Sequence, residues 1–313
     1  MSEKKGENMN SSEEYLKDYI NNNDYDDPTN IVRDNRSNNE NNNERSLGST
    51  TKDAEFMALS IEEFPCAPFY PAGTTVMVRS ATVPEIQHFS TVDDTNFYDV
   101  YEKVNYMVSS CVFIKSPNGT KLPYTNLVDG DRWYLIFLIR DLTFQKGNDL
   151  YTEGKGGVKI PLKRGYFTFH KMEEKLSKYY DKVKGIFSFK TKIGDIDMAP
   201  PTIGLQKSFT DYMIEEAQNK REIDKSFLKI IPYTLPNRTS ITKEGIKKKL
   251  EEFRNMDGDL FQFLNQVVQK MSFGISGVKT ITESGEEVHS DNVFPTGVSG
   301  LFLLPDAIDD FLI

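Results

Sequence analysis

Hydrophobic and polar positions follow three regimes along this chain. The first is almost bare of apolar side chains. The stretch "NNNDYDDPTNIVRDNRSNNENNNERS" (Asn21–Ser46) has too little apolar surface to offset ordering entropy, which predicts a disordered leader over residues 1–55. One island interrupts it: behind a serine cap, Ser11–Ile20 places Tyr15, Leu16, Tyr19 and Ile20 on one helical face, either a segment that folds on a partner or plain tail. The second regime alternates short β-branched runs with helical periodicity. Turn residues Pro71, Ala72 and Gly73 lead into Thr75–Arg79, a predicted strand, and Thr82 with Glu85 forms a capping box ahead of a helix with Pro84 in its first turn.

Between Asp93 and Phe113, apolar residues recur at Phe97, Val100, Tyr101, Val104, Met107, Val108 and Cys111, the three-and-four spacing of a helix with Asp94 or Thr95 as its cap. Two turns follow, at Pro117–Gly119 and Asp129–Asp131. After them Trp133–Ile139 is apolar without a break. Seven consecutive apolar residues point in every direction around a helix, so one face must meet the core and the opposite face either another layer or another chain. Seven residues fall short of the roughly twenty that cross a bilayer, and no membrane span is expected.

In the third regime, Gly154, Gly156 and Gly157 mark a joint or a hairpin, and no Lys-Ser/Thr pair follows to make a phosphate cradle. Alternation around Phe167 and Phe169, and again around Ile186, Phe187 and Phe189, predicts two strands. Helical periodicity returns from Gly204 to Met271, where Asp257 or Asp259 stands before "LFQFLNQVVQKM" as Asp129 or Asp131 stands before the Trp133 run. Both Asp-Gly-Asp turns are expected to cap a helix and place negative charge at its positive end. A hairpin over Val278–Val288 and a last strand at Leu301–Leu304 close the reading. The fold class is therefore α+β. A small strand-and-helix subdomain over 56–150 is followed by a more helical subdomain over 151–313 that ends in a β-hairpin, the break falling in the glycine stretch.

Charge and composition narrow the function. Of a net charge of -9, the first 50 residues supply -5, with eleven acids against six bases; the body is only mildly acidic, and no nucleic-acid partner is expected. Cys66 and Cys111 give no disulfide framework and suggest a reducing compartment, and the charged, polar first ten residues do not read as a signal peptide. Asp129, Asp131 and Arg132 could be drawn as an acid pair with an anion clamp, but no second motif supplies a pocket, and the later acids of a calcium loop are absent. His88, His170 and His289 have no partners at metal spacing, and Gly274-Ile275-Ser276-Gly277 lacks the spacing of a nucleophile elbow. Neither an enzyme, a cofactor, a metal nor a small-molecule substrate is expected. A hydrolase is the reading displaced.

Two stretches carry a resemblance. Gly73, Val76, Val78, Arg79, Thr82 and Glu85 match a "G…V-x-V-R-x-x-T-x-x-E" pattern, and Val128–Thr143, with Gly130, Asp131, Arg132 and Arg140-Asp141-Leu142-Thr143, match "V-G-D-R…L…R-D-L-T". Together they resemble the baseplate hub assembly proteins of T-even-type contractile-tail bacteriophages, best over Phe64–Phe144 and more loosely over "FPTGVSGLFLLPD". Members often carry Cys-x-x-Cys before the final hairpin; Gly274-Ile275-Ser276-Gly277 stands there instead, which agrees with expecting no metal, and the asparagine-rich leader lies outside the pattern. The resemblance implies a small α+β protein that binds hub or tail-tube initiator proteins in the host cytoplasm. It would act as a transient chaperone or as a subunit retained in the virion baseplate, with self-association left open. Trp133, Phe137, Phe302 and Phe311 are the expected partner-binding anchors.

Overall fold

The turn at Pro71–Gly73 starts the architecture, because Gly73 holds φ +83°, a left-handed conformation that a side chain would disfavour. It joins β1 (Met57–Ser60) to β2 (Thr75–Val78) in an antiparallel pair with Met57 opposite Val78. In this computed structural model the described residues are 55–144, 150–192 and 194–302, so the expected leader, apart from Glu55, lies outside them. After β2 come α1 (Val83–Ser90) and α2 (Phe97–Cys111), then β3 (Val112–Lys115) directly, and β4 (Lys121–Pro123) across the Pro117–Gly119 turn. These four strands form one antiparallel sheet in the order β1-β2-β3-β4. Only β2 was legible as a strand. The other three are three or four residues long and take their stability from pairing and burial against the helices.

α3 (Arg132–Thr143) is the centre of the first core: Tyr134, Leu135, Ile136, Phe137, Leu138 and Ile139 are each at most 3% exposed. Every direction around it is covered by the chain itself. Phe64 meets Tyr134 edge-on at 5.4 Å, Phe167 and Phe294 flank Phe137, and Val104 and Val108 of α2 lie in the same cluster. The question posed by the uninterrupted apolar run is answered by internal layers. At its far end Arg140 is buried, with Nε donating to the Leu301 carbonyl at 2.8 Å.

The glycine stretch is a hairpin, β5 (Tyr151–Glu153) with β6 (Lys159–Pro161), whose Ile160 joins the first core. β7 (Phe167–Phe169) then pairs not with its sequence neighbours but with β11 (Ile275–Ile281), which in turn pairs with β12 (Glu287–Ser290). Between β7 and β11 the chain builds a second core. It contains α4 (Glu174–Ser177), the sheet β8 (Tyr180–Asp181), β9 (Ile186–Thr191) and β10 (Gly194–Met198), and helices α5 (Ile203–Gln218), α6 (Lys225–Ile230), α7 (Lys243–Arg254) and α8 (Gly258–Lys270). Helices and antiparallel sheets together make the chain α+β, as expected. The cores do not part at the glycine stretch. The second is inserted into the first, because the C-terminal hairpin returns to pack beneath α3.

Of the last expected strand, Leu301 and Phe302 lie instead in a 3₁₀ turn, Ser299–Phe302, and Leu303 and Leu304 fall outside the described residues. Asp94 accepts from the Ser299 amide at 3.0 Å and from its hydroxyl at 2.6 Å, which winds the chain there and drops Phe302 onto Phe89. This also removes Asp94 from its expected capping role on α2. Asn96 caps that helix, accepting from the Tyr98 and Asp99 amides.

Candidate functional site

The two cores meet at one buried carboxylate. Asp131 is fully buried, ends the 3₁₀ turn Asp129–Asp131, and does not cap α3. Its side chain crosses instead to the segment after β1: Oδ1 accepts from the Cys66 amide at 2.9 Å, and Oδ2 from the Tyr70 hydroxyl at 2.6 Å. Tyr70 is held in turn by the Val128 amide, which donates to its oxygen at 2.7 Å. The capping expectation is corrected here for a physical reason: two fixed donors from a distant segment outcompete the helix's own terminal amides. The second Asp-Gly-Asp behaves as expected, with Asp257 accepting from the Asp259 and Leu260 amides ahead of α8.

Gly130 is required at this crossing. A Cβ on it would come within 2.7 Å of both Cys66 Sγ and the Phe273 carbonyl oxygen. The segment Phe64–Tyr70 spans both cores, with Phe64 against Tyr134 in the first and Phe69 against Phe273, Tyr180 and Phe187 in the second. The Asp129 amide donates to the Pro201 carbonyl at 2.9 Å and the Ile203 amide to the Leu127 carbonyl at 2.7 Å, so the same turn is stitched to the start of α5.

Electrostatics follow from burial. Removal from water pushes the Asp131 carboxyl up to about 6, against the opposing pull of the bonds from Tyr70 and Cys66. Burial likewise raises the Cys66 thiol and the Tyr70 phenol well above their ordinary values, with the neighbouring Asp131 charge adding to both. A thiol so placed is protonated at neutral pH and is a poor nucleophile. The constellation brings acid, thiol and phenol together, with Asp131 and Cys66 fully buried and Tyr70 half-buried. It acts as a clasp between two cores.

The first motif is built similarly. Arg79 donates to both oxygens of Glu85, at 2.9 and 2.6 Å, and to the Ser110 carbonyl at 2.7 Å, while Glu85 closes the capping box by accepting from the Thr82 amide at 2.7 Å. Burial pushes the Glu85 carboxyl up, but the bonds from Arg79 and Thr82 prevail and hold it below the usual carboxylate range. The Ala81 amide donates to Thr143 Oγ1 at 2.9 Å, so the two motifs interlock. Their residues make the fold.

Of the expected anchors, two are buried and Trp133 is half-buried. Phe137 and Phe302 are core residues, and Trp133 packs edge-on against Phe294 at 4.8 Å. Phe311 lies outside the described residues. Large exposed apolar side chains sit where periodicity had placed core: Phe97, 64% exposed, projects from the first turn of α2, edge-on to Tyr98 and stacked on Tyr101. Helical spacing puts Phe97 on the core face, but burial on that face begins only at Val100 and Tyr101. That signal is absent from the sequence.

His88 packs against the Tyr106 ring at 4.2 Å with the planes tilted by 51°, the His170 amide donates to the Gly274 carbonyl, and His289 pairs with Glu287 at 2.7 Å. Ser276 donates to Thr168 Oγ1 at 2.9 Å. Among the described residues, no group of three His, Cys, Asp or Glu side chains is placed to hold a metal, and no helix is long and apolar enough to cross a membrane. Two shallow grooves, of about 340 Å³ beside Tyr212 and Arg254 and about 560 Å³ around Glu222–Ser226, include neither Asp131 nor a histidine. What these features define is an α+β protein with a structural clasp and an exposed aromatic knob. Compared with known proteins, the chain finds no match among family models, curated proteins or solved structures.

Proposed function

We propose that this chain works by protein contact and not by catalysis, as an assembly factor for a multisubunit structure. On the resemblance of its two motifs, we take that structure to be the central hub of a contractile phage tail baseplate. The observation that carries the contact reading is Phe97: a large aromatic side chain, 64% exposed, backed by Tyr98 and Tyr101 at the end of a helix whose other face is core. Surface aromatics of this kind, rigid and already packed from behind, lose little freedom on binding and contribute disproportionately to interfaces. The partners are the baseplate hub and tail-tube initiator proteins, met in the host cytoplasm, with no nucleic acid and no small-molecule substrate involved.

The test is co-expression of the full chain with each hub and initiator protein of the same phage, followed by size-exclusion chromatography. A stable complex that Phe97→Ser weakens at least tenfold, with unfolding midpoint unchanged, supports the reading. Absence of complex with every hub component refutes it. Mass spectrometry of purified particles then separates the two forms of the role, since a retained subunit is present in fixed stoichiometry and a transient chaperone is not.

A further inference from the structure

Two exposed patches of the described residues, each built around large apolar side chains, carry opposite charge. The first lies at the start of α2, where the Phe97 and Tyr98 rings, 64% and 38% exposed, meet at 5.6 Å. Over Asp93–Lys103 the carboxylates of Asp93, Asp94, Asp99 and Glu102 stand against the single base Lys103, a formal charge of -3. Contacts and helical spacing keep these acids beside the rings. Asp99 accepts from the Asp93 amide at 2.6 Å, and Glu102 follows Tyr98 by one turn on the same side of the helix. The second patch is the hairpin of β8 and β9. Val183 at its tip is 97% exposed and Tyr179, just before β8, 39%. From Glu174 to Lys184, four lysines stand against Glu174 and Asp181, a formal charge of +2. The tip is rigid: Asp181 Oδ1 accepts from the Val183 and Lys184 amides at 2.9 and 3.2 Å, and the Gly185 amide donates to the Asp181 carbonyl at 2.8 Å. The Tyr180 hydroxyl ties the hairpin's base to the Pro68 carbonyl.

Each patch therefore has an apolar centre fixed before any partner arrives and a charged surround that selects the opposite sign. Neither covers the other within the chain, since both are exposed. We propose that they fit each other between two copies of this chain. The hairpin of one copy seats Val183 against Phe97 and Tyr98 of the next, and its lysines face the carboxylates around that knob. At about 150 mM salt the Debye length is about 8 Å, so the net negative charges of two copies are largely screened while charges in contact still attract. Because the two patches differ, the contact is head-to-tail. A copy that uses its hairpin still presents its own knob, and association runs past two copies unless a ring closes. The knob is thereby covered in free protein until a tighter partner displaces the hairpin. This inference goes beyond the hub reading: it shares Phe97 with that reading but names a different occupant.

The test uses the pure full chain, with no hub protein present. In sedimentation velocity, the weight-average coefficient should rise with concentration up to about 1 mM. Phe97→Ser and Val183→Ser, both at exposed positions, should each weaken association roughly fivefold or more without moving the unfolding midpoint. An equimolar mixture of these two variants should form a complex that stops at two copies, because one retains the knob and the other the hairpin. Glu102→Lys and Lys182→Glu should each weaken association, and the chain carrying both should regain part of it, since the reversed charges then face each other. A monomer over the whole range, a Val183→Ser chain that associates as the parent does, or a mixture of the serine variants that stays monomeric would overturn the proposal. None of these results bears on the hub reading, which fails only when no hub component forms a complex.

Discussion

Asp131→Asn isolates the cost of holding a charge inside the clasp. Asp131 has no exposed surface, and its carboxyl titrates near 6 in the folded chain against an ordinary value of 3.8. A raised folded-state value means that folding disfavours the charged form. The penalty is absent below about pH 4, grows between about 4 and 6, and is fully present above that. At about 1.36 kcal/mol per pKa unit, a shift of roughly two units corresponds to about 3 kcal/mol. Urea unfolding of the parent chain and of Asp131→Asn, followed at half-unit steps from pH 4 to 7.5, reads this directly, because all other carboxylates cancel in the difference. The asparagine amide adds a constant offset, since its NH2 faces donors from Tyr70 or Cys66. That offset does not depend on pH. The expected result is that the parent loses about 3 kcal/mol relative to the variant as pH rises from 4 to 7, the reverse of the usual behaviour of carboxylates. A flat difference, or a parent that gains on the variant with pH, would mean that the Tyr70 and Cys66 bonds outweigh desolvation, and would refute the account of the clasp.

Other outcomes follow from packing. Gly130→Ala forces a methyl against Cys66 Sγ and the Phe273 carbonyl and should cost about 1–3 kcal/mol in urea unfolding, whereas Gly258→Ala meets open space in α8 and should be neutral or stabilising. Arg79→Met strands the Glu85 carboxylate among buried neighbours and should cost about 3–5 kcal/mol, and adding Glu85→Leu should recover part of the loss. Both thiols are buried, and burial raises the Cys66 thiol well above its ordinary value and the Cys111 thiol to about 12. A thiol-reactive dye should therefore label neither cysteine in the native chain and both in denaturant.

Legibility in the sequence tracked the range of the interaction responsible. Local signals transferred well: the Thr82–Glu85 capping box, the Asp257 cap, the periodicity of α2 and the turn before β2 all depend on residues within a few positions of each other. The strands β1, β3 and β4 were missed because nothing in three or four residues marks them apart from the partners they pair with. The clasp was misread for the same reason. The two turns share the tripeptide Asp-Gly-Asp ahead of an apolar helix, and only the arrival of Cys66 and Tyr70, more than sixty residues upstream, takes Asp131 away from its helix while Asp257 caps the other. The anchors Phe137 and Phe302 were placed by hydrophobicity alone, which cannot distinguish a side chain that reaches outward from one that fills the centre.

The pairing of β7 with β11 sets Phe169 opposite Ile275, and the His170 amide bonds the Gly274 carbonyl just beyond. The whole second core thus departs from and rejoins the scaffold at two adjacent backbone positions. Residues 171–273 are nonetheless no detachable cassette: Ile203 fills the first core, the Asp129 amide holds the Pro201 carbonyl and Phe69 is clamped between Tyr180, Phe187 and Phe273, so an insertion with a single narrow neck has become a structural member of the scaffold that it interrupts.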